Sequence, residues 1–364
     1  MATETIRGSR LESKKYIVIT TIHPPSHAVR LFCQWPGWTV VIVGDRKTPK
    51  GWAHSNAIYL GLDEQHDFCN QLAGAIPENT YARKSLGYAY AMANRATAIF
   101  ETDDDNIPYP NACSVVDAAI DLGAGTVGTR LANSAGWINI YRHFQAACWP
   151  RGFPLRLARS GAAVGHEGTD GKPWAVTQFL ADGDPDVDAI YRLTNGSKTT
   201  FAGAGRFTLD EGSWCPFNSQ ATLWLPPAFP FMFLPAGISD RVTDILRAYL
   251  ATASIWRSGR AVSFASPVVY QERNVHDLLR DFRDEIPLYL EAERWVTDLA
   301  GPGDRDRDRD KDKDKDKDKD KDKDDDRDGI ACFRRALAKF AAADTVPALN
   351  LATYEVFLSA ATLS

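Results

Sequence analysis

What this sequence lacks narrows it first. It has no apolar run long enough to cross a bilayer. The most apolar region, "LWLPPAFPFMFLPAGI" at 223–238, is too short and carries four prolines. The N-terminal "MATETIRGSRLESKK" is charged and has no apolar core, so it does not read as a signal peptide. The six cysteines are widely spaced, with no CxxC and no dense framework, and read as buried free thiols of a reducing compartment. Nor is there a basic excess: 42 Lys and Arg stand against 47 Asp and Glu, a formal charge of −5. Nucleic acid is therefore not an expected partner, because nothing is in surplus to neutralise its phosphates. These absences point to a soluble, cytoplasmic chain with no membrane segment.

What is present is a globular composition, 44% hydrophobic and 11% aromatic over 364 residues, enough for one large domain or two of ordinary size. Residues 1–13 are polar and expected to be disordered. From residue 14 the chain alternates buried-strand runs ("KKYIVITTI", "WTVVIVGD", "ATAIFETDDDN") with helical stretches such as "YARKSLGYAYAMANR". That alternation predicts an α/β fold with a mostly parallel central sheet flanked by helices, in which a ligand sits beyond the carboxyl ends of the strands. Residues 135–235 are rich in Trp, Pro and Gly and read as loops shaping a pocket. "ISDRVTDILRAYLATASIW" is a helix with Ser239 as its cap and Val242, Ile245, Leu246 and Tyr249 on one face. Residues 304–328 alternate acid and base, 14 Asp against 11 Lys or Arg, with no apolar residue. Residues 301–329 are thus expected to form a disordered insert, with a helical segment after it at 330–364.

The stretch "ETDDDN" sets Asp103, Asp104 and Asp105 side by side where a strand gives way to a loop. Like charges that close need a reason, and a divalent cation with oxygen ligands, Mn²⁺ or Mg²⁺, supplies one. A solvated acidic turn is the plainer reading. If the backbone stays extended, the first and third carboxylates converge. Further on, "DGDPDVDAIYRL" puts Asp182, Asp184, Asp186 and Asp188 at every second position, on one face of an extended segment, or else in an Asp-Pro turn entering a helix. Asp240 and Asp244 lie four apart on the helix, with Arg241 in reach of either.

The blocks "ITTIHPP", "VVIVGDRKTP", "YARKSLGYAYA", "ETDDDNIPY", "DGDPDVDAIYRLT", "FNSQATLW", "LPAGISDRVTDILRAYL" and "QERNVHDL" occur in this order over roughly residues 14–300. Together they resemble the STELLO-type glycosyltransferase family. More distantly, "DDD" with "PDVDA" is similar to the reversibly glycosylated polypeptides, and "SDRVTDI" to exostosin-type transferases. The plant STELLO members are Golgi proteins with a membrane anchor and a further C-terminal domain, neither of which has a counterpart in these residues; the resemblance implies a Golgi lumen as the alternative to a cytoplasmic location.

The resemblance implies a GT-A fold over 14–300, with a nucleotide-sugar half at 14–135 and an acceptor half at 136–300. It also implies a nucleoside-diphosphate sugar donor, UDP-linked by preference, and a D-x-D metal. Thr20, Thr21 and His23 would contact the nucleoside, His23 reading equally as a loop histidine. Asp45 would accept from base or ribose, or simply cap a turn. Arg83 and Lys84 would meet the diphosphate or hold an aspartate. Asp105 would ligate the metal, Asp103 the metal or ribose, and Asp104 either. Asp186 and Asp188 would contact sugar or acceptor. Asp244, with Arg241 beside it, would sit nearest the reacting carbon as base or positioning group. His276 is a further metal or diphosphate candidate, or a helix-surface histidine. A nucleotide-sugar mutase, a self-glycosylating protein and a non-catalytic nucleotide-sugar or glycan-binding module are the alternatives.

Overall fold

The computed structural model of the chain describes residues 14–123, 129–133, 136–158, 166–168, 172–196, 198–272, 277–300 and 328–363. The N-terminal 1–13, the acid–base run through residue 327 and His276 lie outside them.

The sheet begins with four parallel strands, β1 (Lys15–Thr20), β2 (Trp38–Val43), β3 (Ala57–Leu60) and β4 (Ala98–Asp103), ordered β3-β2-β1-β4. Tyr16–Ile19 of β1 and Val40–Val43 of β2 are buried apolar runs because both faces of the sheet are covered there. Tyr16 and Val18 join the core on one side, and Ile17 and Ile19 the core on the other. The first side is packed by helices Lys84–Ala93 and Asp240–Arg257, the second by His27–Phe32 and Ala112–Leu122.

Beyond β4 the sheet becomes mixed. β5 (Asn106–Pro108) leaves the β4 turn to pair with β11 (Ala261–Gln271), and β10 (Ala221–Trp224) runs antiparallel to β4. β8 (Trp174–Gly183) follows, then β11 parallel to it, and β9 (Arg206–Leu209), β6 (Thr129–Ala132) and β7 (His166–Gly168) complete the order. This is the expected α/β architecture, consistent with a GT-A-like fold. The expectation of loops across 135–235 is corrected by β8, ten residues buried throughout, whose run "WAVTQFLADG" lies among the glycines and prolines.

Helix Asp240–Arg257 is buried on nearly every side, and Ser239 caps it by accepting from the Arg241 N–H at 3.1 Å, as the sequence predicts. Helices Gly329–Ala342 and Leu349–Ala360 pack Phe333, Leu337, Tyr354 and Phe357 into the same core. Beneath the long helix, Arg247 pairs with Glu101 at 2.9 Å, both side chains fully buried, with Trp224 and Tyr88 also donating to that carboxylate.

Gly87 sets how closely helix Lys84–Ala93 approaches the sheet. A Cβ there would stand 2.6 Å from methyls of both Val18 and Val43. Gly→Ala within a helix ordinarily gains about 1 kcal/mol, but overpacking a core costs about 1–3 kcal/mol, and β-branched neighbours on a sheet give little ground. Gly87→Ala should therefore lower the urea midpoint of unfolding. A midpoint at or above that of the unaltered chain would contradict this packing.

Candidate functional site

A cleft of about 420 Å³ opens at the carboxyl ends of β1, β2 and β4, closed on its far side by the first turn of helix Asp240–Arg257. The expectation of an extended acidic stretch is corrected here. β4 ends at Asp103, and Asp104 and Asp105 form the turn into β5, so alternation does not set where the carboxylates go.

Each of the three has its own partners. Asp103 Oδ1 accepts from Lys84 Nζ at 2.9 Å and from the Tyr81 hydroxyl at 2.6 Å. Asp104 accepts from the Thr21 hydroxyl, while its carbonyl accepts from Ser26 Oγ at 2.5 Å. Asp105 Oδ2 accepts from Gln271 Nε2 at 3.1 Å, and its buried Oδ1 has no partner. Burial first, and Asp103 beside it, push the Asp105 carboxyl up to about 7. Burial likewise raises Asp104.

Lys84 is fully buried and also donates to the Thr102 carbonyl at 2.7 Å, so it holds Asp103 from behind. Arg83 is buried too. Its guanidinium donates to Gln65 and to the carbonyls of Ala73 and Ile76, at 3.2 and 2.8 Å, and so anchors the loop ahead of the helix. Asp45 receives the Arg46 and Asn79 N–H groups, each at 2.7 Å, a capping role at the cleft rim. Thr20, Thr21 and His23 line the same rim, Thr21 accepting from the His23 N–H at 3.0 Å.

The wall opposite the acidic turn is built on Arg151. Its Nε and Nη2 donate to the two oxygens of Asp186, both at 2.8 Å, and Nη1 and Nη2 to the two oxygens of Asp244, both at 3.0 Å. The remaining Nη1 donor meets the Arg241 carbonyl, so all five N–H groups are engaged. Burial alone would raise Asp244, but Arg151 outweighs it and holds that carboxyl below the usual range. Asp186 and Asp244 are thus brought together. Asp188 is not: fully buried, it caps helix Ala189–Asn195, accepting from the Tyr191 N–H at 2.7 Å and from Trp149 Nε1 at 2.5 Å. Burial pushes it up to about 6. The one-face reading of the four alternating aspartates is corrected accordingly. β8 ends at Gly183, with φ +86°, and Asp182 turns to Tyr109 and Asp184 to Arg192.

Tyr81 joins the two walls. Its hydroxyl bonds Asp103 and, at 2.8 Å, Ser219 Oγ, while its backbone N–H donates to Asp240 Oδ1 at 2.9 Å. Ser219 in turn lies 3.4 Å from Asp244 Oδ2 through both its N–H and its hydroxyl. Arg241 lines the cleft with its guanidinium turned to the buried Glu285, 2.8 Å away.

Arg151, Tyr81 and Gln271 were not singled out from the sequence. Tyr81 and Gln271 stand within blocks that carry the resemblance. Arg151, between Pro150 and Gly152, had no periodicity or partner nearby in sequence to mark it.

Among the described residues, no group of three His, Cys, Asp or Glu side chains forms a metal cage, and no helix is long and apolar enough to cross a membrane. All six cysteines are free thiols.

The fold and its cleft thus define an α/β protein of GT-A-like architecture with an acidic turn facing a carboxylate–guanidinium wall. No protein-family profile matches the chain. It is homologous to two Arabidopsis thaliana proteins, as its motif blocks imply. It is 28% identical to "Probable glycosyltransferase STELLO2" over 312 residues, 78% of this chain and 39% of that protein. It is 27% identical to "Probable glycosyltransferase STELLO1" over 291 residues, 72% of this chain and 36% of that protein. The chain therefore spans under two fifths of the length of these curated relatives.

Proposed function

We propose that the chain is a metal-dependent glycosyltransferase, taking a hexose or pentose from a nucleoside diphosphate, UDP-sugars first. The observation that carries this reading is the buried, unpartnered Oδ1 of Asp105 beside Asp103, whose second oxygen is not taken by Lys84 or Tyr81. Hard oxygen donors of this kind suit Mn²⁺ or Mg²⁺, which need only one or two carboxylates when substrate phosphates and water complete the shell. When bound, the cation would neutralise charge on the departing nucleoside diphosphate. Lys84 and Tyr81 orient Asp103, both donating to its Oδ1 and leaving its other oxygen toward the cleft. The β1 and β2 ends, with Thr20, Thr21, His23 and Asp45, form the wall suited to the nucleoside. Asp186, Asp244 and Arg151 form the wall suited to the sugar.

Incubation with a panel of UDP- and GDP-sugars and Mn²⁺, with free nucleoside diphosphate measured, tests the reading. Release of one nucleotide supports it. Binding without release identifies a nucleotide-sugar-binding module instead. Neither binding nor release removes the donor site.

A further inference from the structure

The two carboxylates on the first turns of helix Asp240–Arg257 are one helical turn apart and stand in opposite states of commitment. Asp244 is saturated. Its Oδ1 accepts from Arg151 and from the Ile245 N–H, each at 3.0 Å, and its Oδ2 from Arg151 at 3.0 Å with Ser219 beyond. Arg151 also holds Asp186 in both oxygens, so one guanidinium faces two carboxylates and the wall keeps a net negative charge. A carboxylate so fully hydrogen-bonded has no lone pair in reserve and its basicity is lowered. Asp240 is the contrary case. It is open to solvent on one side at the cleft mouth and covered on the other, its Oδ1 takes the Tyr81 N–H at 2.9 Å, and its Oδ2 has no protein donor among the described residues. Desolvation, then the fields of Asp244, Asp284 and Asp45, raise its basicity, against the lowering effect of the Tyr81 bond.

We propose that the pair divides the chemistry, with Asp240 receiving the acceptor's proton and Asp244, fixed by Arg151 as positioning residue, supplying negative charge at the reacting carbon. This rests on the glycosyltransferase reading and assigns roles within that cleft. The acceptor hydroxyl oxygen bonds to the anomeric carbon as the bond to the diphosphate oxygen breaks, its electron pair leaving on the diphosphate. The hydroxyl proton passes to Asp240 Oδ2. Positive charge developing on the sugar ring faces Asp244.

The test uses the full chain with Mn²⁺ and the member of the UDP- and GDP-sugar panel that the unaltered chain turns over, with water and then azide as acceptor. Azide carries no proton to be removed. Asp240→Asn should cut transfer to water by about 10²–10⁴-fold, keep nucleoside diphosphate binding by calorimetry, and recover rate as glycosyl azide forms. Asp244→Asn should lose transfer to both acceptors. Wild-type turnover in Asp240→Asn, or no azide rescue while binding is kept, overturns the assignment alone. An unaltered chain that turns over no sugar of the UDP and GDP panel overturns the glycosyltransferase reading and this inference with it.

Discussion

Asp105→Asn should reduce donor turnover by on the order of a thousandfold while leaving the fold intact. The size follows from the charge stabilisation a bound metal supplies, several kcal/mol, with each factor of ten worth about 1.4 kcal/mol. Asparagine matches aspartate in shape and can still face Gln271, so the turn between β4 and β5 keeps its bonds. Stability should hold or rise, because the substitution removes a negative charge that burial and Asp103 both oppose. Loss of turnover with an unchanged or higher unfolding midpoint, measured on one preparation, is the expected pair of results. Full turnover in Asp105→Asn would return the acidic cluster to a solvated turn.

The second large effect is on stability. Arg151→Met should destabilise the chain by about 3–5 kcal/mol at neutral pH, the range for removing one partner of a buried pair. Arg151, Asp186 and Asp244 are all nearly inaccessible, at 5%, 9% and 6% side-chain exposure, and the substitution strands two carboxylates. The pH dependence has a defined sign. With Arg151 present, Asp244 titrates below the ordinary 3.8, so its contribution is complete above that value and is lost as pH falls through its folded pKa. Without Arg151, burial dominates and raises it, so the variant loses stability as pH rises from about 4 toward neutrality. Urea midpoints of the two proteins should therefore diverge between pH 4 and 7. Parallel midpoints across that range would mean that Arg151 does not hold the pair.

How much of this was legible beforehand depends on whether partners were local. β1, β2 and β4 announced themselves as unbroken apolar runs ending in polar residues, and Asp103–Asp105 at such an end marked the cleft. Ser239 and the face of its helix followed from periodicity. β8 did not, because the glycines, prolines and tryptophans around it masked a ten-residue buried strand. The four aspartates from 182 to 188 looked alike in sequence, yet the turn after Gly183 sends each to a different partner. Arg151 was invisible for a similar reason. Its meaning lies in Asp186 and Asp244, which are 35 and 93 residues away and meet only in the fold. Arg83 and Lys84, adjacent in sequence, part company in the structure, one anchoring a loop and the other holding Asp103.

Asp103 and Asp105 are proposed to hold a divalent cation and, through it, a nucleoside diphosphate. Calorimetric titration of UDP and GDP into the chain, with Mn²⁺ and again with a chelator, tests it most directly. Saturable binding of one nucleotide that disappears with the chelator is the predicted result. No binding of either nucleotide, or binding indifferent to the chelator, would contradict it.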